Sequence, residues 1–364
     1  MNRVKLPEIC TIPITDGTHQ TPTYTTKEDG IPFISSKDVT TKKIDWTNIK
    51  YITKDLHEQL YKRIAPQKND ILLAKNGTTG VAALVEDNRV FDIYVTLAVI
   101  RPDLEKVFPK YLLHVINSDY CKKQFSSHLV GIGVPNLHLK DINQTSIPLP
   151  SLPEQQKIAA HLDSIQSAID NKKQQLQQLD ELVKSKFVEM FAEKDFPTKK
   201  WDDVFITKTG KLDSNAMVEG GMYPFFTCAK EIFAINDYAF DQEALLLAGN
   251  NAAGKYDVKY YKGKFNAYQR TYVLSLKENW SYRLFQFQLE DKLLYLKDQS
   301  KGINTKFLTL KILQTLSFIV PPNDLQDEFT AYVEKIDSAK SIIKTQLADL
   351  QELLDSKMDE YFGE

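Results

Sequence analysis

Two short segments carry the side chains best suited to holding a polyanion. Lys75–Asn76–Gly77–Thr78–Thr79–Gly80 sets two glycines among a lysine, an amide and two hydroxyls. Its backbone N–H groups could cradle a phosphate, and its side chains could donate to one. A tight turn between two strands would give the same pattern. Ligand chemistry is favoured by a second version at an offset of 174 residues, Gly249–Asn250–Asn251–Ala252–Ala253–Gly254, with Lys255 and Tyr256 just beyond.

Three further stretches could read nucleic acid. Asp16–Gly17–Thr18–His19–Gln20–Thr21 is a polar turn whose Thr18, His19 and Gln20 can donate to and accept from base edges. Residues 207–215 offer Lys208, Lys211 and Asn215, and Lys37 adds a cation in the first half. Between Tyr256 and Arg270, lysines alternate with tyrosines and end in Tyr268–Gln269–Arg270. Such interleaving suits a phosphate-lined groove; a lysine-decorated edge strand would look the same.

Catalytic signals are sparse. The chain has no GxxxxGK[ST], HExxH or GxSxG run. All six histidines (His19, His57, His114, His128, His138, His161) lie in the first half, so a duplicated feature cannot depend on them. His161 falls beside a helical stripe and reads as a packing residue. Cys10, Cys121 and Cys228 are far apart, which argues against a disulfide framework or a cysteine-rich zinc site.

The elements that must position these groups come as a repeat. Shifted by 171 residues, segment 131–193 falls on 302–364 without a gap, and 23 of 63 positions are identical. Gly131/Gly302, Leu137/Leu308, Pro150/Pro321, Gln155/Gln326 and Phe191/Phe362 share this register, which points to duplication. Each copy carries a short extended segment ending in proline, Ser146–Pro150 or Ser317–Pro321, just before its helix. Capping-box spacing follows at Ser151/Glu154 and at Asn323/Gln326.

Beyond each cap, apolar positions recur in alternating steps of four and three. The first stripe holds Ile158, Leu162, Ile165, Ile169, Leu176, Leu179 and Val183; the second holds Phe329, Val333, Ile336, Ile343, Leu347, Leu350 and Leu354. This heptad seam, interrupted by Lys172, Lys186, Lys340 and Lys357, predicts two long helices. About 37 residues from 155 to 191 would span about 55 Å. Burying each stripe against the other, antiparallel, is the expected solution; packing each helix only on its own block is the alternative.

The blocks before the helices read as α+β. Ile31–Ile34, Asp70–Ala74 and Val95–Ile100 predict strands, and Tyr111–Phe125 an amphipathic helix. In the second block Tyr223–Phe226 echoes Ile31–Ile34, Leu246–Ala248 echoes Leu72–Ala74, and Trp280–Leu293 supplies the helix. The expected organisation is a globular block over 1–150, a long helix over 151–193, a second block over 194–321 and a second long helix over 322–364.

The 364 residues carry 46 basic and 48 acidic side chains, which opposes non-specific coating of nucleic acid. Residues 194–321 hold 18 Lys/Arg against 14 Asp/Glu, while 322–364 hold 4 against 11, so the last segment suits a protein partner better than DNA. No apolar run reaches 18 residues, and residues 1–10 lack an apolar signal core. A soluble cytoplasmic protein is expected, without membrane partners.

The whole chain resembles the DNA-specificity subunit of a type I restriction–modification system. Ile147–Pro148–Leu149–Pro150–Ser151–Leu152–Pro153–Glu154–Gln155–Gln156–Lys157–Ile158 is similar to that family's strand-exit and helix-start segment, and Val320–Pro321–Pro322–Asn323–Asp324–Leu325–Gln326 is a looser copy with Leu325 in place of Glu154. Asp29–Ile34, Leu72–Gly77, Tyr223–Phe226 and Leu246–Asn250 resemble segments of its target-recognition domains.

The resemblance implies two such domains separated by two long antiparallel coiled-coil helices with internal pseudo-twofold duplication. Each domain would read half of a split, asymmetric target in double-stranded DNA, and the helices would set the unread spacer. It also implies two modification (methyltransferase) subunits that bring S-adenosylmethionine, and restriction subunits that bring ATP- and Mg2+-dependent chemistry. This chain would bind no cofactor or metal and have no catalytic residue; it has no NPPY tetrapeptide. The competing readings are a stand-alone methyltransferase or nuclease, and a coiled-coil scaffold without DNA binding.

Overall fold

A computed structural model describes residues 2–127, 136–252, 254–302 and 305–363. His128, Gly131 and Ala253, named above, lie outside the described residues. The chain forms two compact units, Met1–Lys173 with Thr345–Glu364, and Gln174–Lys344. Each long helix therefore contributes one part to each unit.

In unit 1 the central strand Ile71–Ala74 is buried on both faces. Its side chains alternate between two cores. Ile71 and Leu73 join Leu6, Ile9, Leu112 and Val115, whereas Leu72 and Ala74 join Ile34, Val39 and Phe91. A strand clad on both sides needs an uninterrupted apolar run, which is why Ile-Leu-Leu-Ala stands out in sequence. The sheet order is Thr15–Asp16, Leu97–Ile100, Ile71–Ala74, Ala82–Leu84, all antiparallel. A second four-stranded sheet runs Tyr24–Thr25, Lys50–Ile52, Ile31–Ile34, Asp92–Ile93, its last pair parallel.

Unit 2 repeats the logic with one larger sheet. Leu245 and Leu247 face one core, and Ala244 and Leu246 the other. The six strands run Phe205–Thr209, Thr271–Leu276, Phe240–Ala248, Val258–Ala267, Tyr223–Phe226, Phe233–Ile235. The echo between Leu72–Ala74 and Leu246–Ala248 thus marks the doubly covered strand in both units. Each unit also pairs its first strand with the extended segment of the repeat, Arg3–Lys5 with Ser146–Pro148 and Thr198–Lys200 with Ser317–Ile319.

Two expected helices are broken. Tyr111–Phe125 becomes Pro109–Ile116 and Asp119–Ser127. Asn117, at the break, turns its amide onto strand Ala82–Leu84, accepting from Ala82 N and donating to Ala82 O, both at 3.0 Å. Ser118 Oγ donates to Val115 O at 2.6 Å. Such local side-chain bonds compete with helix continuation. The helix expected over Trp280–Leu293 is likewise Tyr282–Asp291 and Leu293–Gln299, the first capped by Ser281 Oγ accepting from Leu284 N at 3.1 Å. The strand expected over 95–100 starts at Leu97 because Tyr94–Thr96 is a turn, closed by Leu97 N donating to Tyr94 O at 2.9 Å.

The long helices are Leu152–Phe191 and Asn323–Phe362, 40 residues each. In unit 1 the start of the first packs on the end of the second. Ile158, Leu162, Ile165 and Ile169 share a core with Leu354 and Phe362, flanked by half-buried Leu347 and Leu350. His161 Nδ1 meets Tyr361 Oη at 2.8 Å, a packing role. Unit 2 joins the end of the first to the start of the second through Val183, Met190, Phe191, Phe329, Val333 and Ile336, with Leu179 alongside. Leu176 and Ile343 are half-buried. The pairing is antiparallel, and both units' cores also include globular residues such as Val115 and Leu284. Lysines that interrupt the seam reach acids: Lys340 meets Asp180 at 2.5 Å and Lys186 meets Glu328 at 3.4 Å.

Candidate nucleic-acid interface

The glycine loops follow the doubly buried strands, and the backbone around them is the same in both units. Lys75 N donates to Thr96 O at 2.8 Å, and Leu137 N donates to Lys75 O at 2.8 Å. In unit 2, Gly249 N donates to Arg270 O at 2.8 Å and Leu308 N to Gly249 O at 2.8 Å. The loop of each unit is therefore stitched to a turn, Tyr94–Thr96 or Tyr268–Arg270, and to the segment that opens the repeat.

A third segment joins in each case. Thr18 bridges Tyr94 and Leu212 bridges Tyr268, both in parallel sense. Val95 N donates to Thr18 O at 3.0 Å, and Gln269 N to Leu212 O at 2.9 Å. Close approach requires glycine just before each bridge: a Cβ on Gly17 would stand 2.1 Å from Ile93 O, and one on Gly210 would stand 1.8 Å from Ala267 O. Residues 16–20, 75–80 and 94–97 thus converge in unit 1, and residues 209–215, 249–252, 254–255 and 268–271 converge in unit 2.

On this common frame the exposed side chains differ. Unit 1 offers His19, Gln20 and Thr78 in the open, with Asn76 and Thr79 half-buried. Thr79 Oγ1 donates to Lys75 O at 3.3 Å. Unit 2 offers Lys208, Lys211, Asn215, Lys255, Gln269 and Arg270 in the open, with Asn250, Asn251 and Tyr268 half-buried. Asn251 Oδ1 accepts from Lys255 N at 3.1 Å. Lys37 is exposed on the turn Ser36–Asp38, which the bond from Ser36 N to Thr96 Oγ1 at 3.0 Å ties to the unit 1 site.

Three sequence candidates are corrected. Lys75, expected as an open cation, has a side chain 8% exposed and donates to Asp16, itself 6% exposed. Leaving a carboxylate alone at that depth would be costly, so the lysine neutralises it. Thr18 is buried, and its hydroxyl accepts from Gln20 N at 3.2 Å, which shapes the turn. Tyr256 is 7% exposed and packs in the core with Leu245, Leu274 and Phe285.

The lysine–tyrosine groove expected between 256 and 270 is also revised. Strand Val258–Ala267 lies inside the sheet, and its polar groups have partners there: Lys259 meets Asp257 at 2.5 Å, Lys262 meets Glu243 at 3.2 Å, and Tyr260 Oη donates to Glu243 at 2.9 Å. Only its terminal turn, Tyr268–Arg270, reaches the site.

Sequence reasoning missed Asp16, Arg63 and the turn Tyr94–Thr96. Arg63, at the end of helix Lys54–Arg63, donates to Gly17 O at 3.2 Å and to Asp16 Oδ1 at 3.3 Å. Tyr94 was findable, because the 174-residue offset that pairs Lys75 with Gly249 also pairs Tyr94 with Tyr268. No spacing signal pointed to Arg63. Burial alone would raise the Asp16 carboxyl, but Lys75 and then His19 hold it below its ordinary value. Among the described residues no His/Cys/Asp/Glu group could hold a metal ion, and no helix is long and apolar enough to cross a membrane.

Known proteins place this frame. Residues 1–181 and 193–352 match the family described as type I restriction modification DNA specificity domain. The type I restriction enzyme EcoDI specificity subunit of Escherichia coli is 35% identical over 162 residues, 44% of this chain and 34% of that protein. The StySPI specificity subunit of Salmonella potsdam is 26% identical over 196 residues, 50% of this chain and 42% of that one. The aligned stretches are thus well under two thirds of those relatives' own lengths. Among solved structures, the type I restriction-modification S subunit from M. genitalium has a TM-score of 0.63 at 15% identity, covering 100% of this chain and 96% of that one. At such identity the likeness speaks to the fold. With the match spanning both units, the chain belongs to the type I restriction modification DNA specificity family.

Proposed function

We propose that this chain is the non-catalytic address-reading subunit of a type I restriction–modification assembly. It reads a bipartite, asymmetric target in double-stranded DNA, one half-site per unit, and positions modification and restriction subunits that carry S-adenosylmethionine, ATP and Mg2+. The observation that carries this reading is the twice-built frame. Backbone bonds at Lys75/Gly249, Tyr94/Tyr268 and Leu137/Leu308 repeat, while the exposed side chains on them are His19 and Gln20 in one unit and Lys211, Gln269 and Arg270 in the other. A shared frame with unlike tips is what two reading heads with different sequence preferences require. A scaffold would need no such divergence at the loops.

Selection of bound duplexes from a random DNA library by the full chain tests it. Two separated half-sites should be enriched. Arg270→Ala should relax the preference at one half-site only, by about tenfold at the affected base, since a good side-chain–base pair contributes about 1–3 kcal/mol of discrimination. Enrichment of no sequence, or relaxation of both halves together, counts against independent reading heads. Product formed by the purified chain from labelled S-adenosylmethionine, or cleaved DNA, would favour the stand-alone enzyme instead.

We further propose that the long helices set the length of DNA left unread. The 3–4 pattern in both copies allows one heptad to be added to each without breaking the seam. Seven residues rise about 10.5 Å, close to three base pairs at about 3.4 Å each. Matched heptad insertions should therefore lengthen the selected spacer by about three base pairs. An unchanged spacer would reject the idea.

A further inference from the structure

The two frames differ in what lies beneath the reading turn, and this difference deepens the proposed function, on which it rests. In unit 1 Asp16 ends strand Thr15–Asp16, directly before the exposed His19 and Gln20. Its carboxylate accepts from Lys75 on the neighbouring loop, from Arg63 at 3.3 Å and meets His19 Nε2 at 3.3 Å. Arg63 also holds Gly17 O at 3.2 Å. Strand register puts Thr209 at the Asp16 position of unit 2, because Asp16 pairs with Ala98 and Thr209 with Tyr272. Gly249 stands in place of Lys75. The Tyr272 ring occupies the space instead, 3.1 Å from where a Gly249 Cβ would be, and its hydroxyl donates to Leu308 O at 3.1 Å.

We infer that the Asp16–Lys75–Arg63 cluster is a positioning device of unit 1 alone, which fixes the pose of His19 and Gln20 and so the specificity of one half-site. Two physical effects support this. A buried lysine–carboxylate pair has one arrangement that satisfies both groups, so it pins the loop to the strand beside it. Lys75 also cancels the Asp16 charge, which leaves the half-exposed Arg63 as net positive charge beside the turn; an uncancelled carboxylate there would repel phosphate. Unit 2 reaches the same backbone shape with an aromatic ring and backbone bonds, so its reading should not depend on an ion pair.

The test is the same library selection by the full chain, with Lys75→Met, Lys75→Arg, Arg63→Gln and the double variant Asp16→Asn/Lys75→Met. Lys75→Met and Arg63→Gln should each flatten base preference at least fivefold in one half-site, the half that Arg270→Ala leaves intact. Lys75→Arg should restore part of it, and the double variant should lose less than the sum of its single changes. Thermal unfolding separates misfolding from mispositioning, and Arg63→Gln, at a half-exposed site, decides the matter if Lys75→Met does not fold. A wild-type chain that selects no half-sites overturns the function on which the inference rests. A wild-type chain that selects two, with both half-sites unchanged in Lys75→Met and Arg63→Gln, overturns the inference alone.

Discussion

Replacing Phe362 by alanine is expected to destabilise unit 1 by about 3–5 kcal/mol, the usual range for a fully buried aromatic cut to a methyl. Phe362 is 1% exposed near the end of the second long helix. Its ring meets Tyr111 edge-on at 5.6 Å, and the Tyr111 hydroxyl donates to Pro148 O at 2.8 Å. One side chain thus joins the helix end, helix Pro109–Ile116 and the segment that opens the first long helix. Close packing around the ring lets the surrounding core relax only partly into the space it leaves. Urea unfolding should show the loss, and hydrogen exchange should place it in residues 109–116 and 152–169. The repeat partner Phe191, in contact with Phe187, Phe196 and Phe329 at 5.1, 5.8 and 5.7 Å, should give a comparable loss confined to unit 2. A loss under about 1 kcal/mol at Phe362 would mean that this helix end is not a structural part of unit 1.

The duplication was the most legible feature because it reports on packing, and packing constrains residue type over many positions at once. Phe191/Phe362 and the seam around Ile158 and Phe329 could be read from spacing because a buried helical stripe must be apolar at fixed intervals. The doubly clad strands were legible for the same reason. Individual site residues were less so. Lys75 and a surface lysine are identical in sequence; what separates them is Asp16, 59 positions away and brought beside it only by strand pairing. Tyr256 shows the converse, a tyrosine among lysines that turns inward to a core drawn from both sides of it in sequence, from Trp201 to Phe318. Helix ends at Asn117 and Ser281 also escaped, since each depends on a side-chain amide that finds a distant backbone group: Asn117 accepts from Ala82 N, and Gln326 accepts from Ser281 N. Periodicity carries averages over an element, whereas loops and caps hang on single long-range contacts.

Replacing Gln155 by leucine should destabilise unit 1 by roughly 3–5 kcal/mol, and Gln326→Leu should destabilise unit 2 by somewhat less, since the first removes a buried amide on which three backbone groups rely and the second one on which two rely. Gln155 is 0% exposed; its Oε1 accepts from Phe108 N at 2.8 Å, and its Nε2 donates to Lys106 O at 3.0 Å and Pro150 O at 2.9 Å. Gln326, 1% exposed, accepts from Ser281 N at 2.9 Å and donates to Pro321 O at 2.8 Å. In both units the amide ties the start of the long helix to the cap of a globular helix and to the proline that ends the repeat strand. Leucine matches the volume but leaves a buried N–H and carbonyls unpaired, so the penalty is desolvation without compensation and not a cavity. Substitution by glutamate gives a sharper check. A carboxylate can still accept from Phe108 N but cannot donate to Lys106 O or Pro150 O, and burial favours its neutral form, so Gln155→Glu should be destabilising at neutral pH and regain part of the loss as pH falls towards the ordinary glutamate range, where protonation supplies one donated bond. Equal stability of the glutamate variant across that range would show that the two donated bonds are not what the position supplies. The Glu154-to-Leu325 difference between the copies is tolerated because this neighbouring amide, retained in both, makes the contacts that fix where each long helix begins.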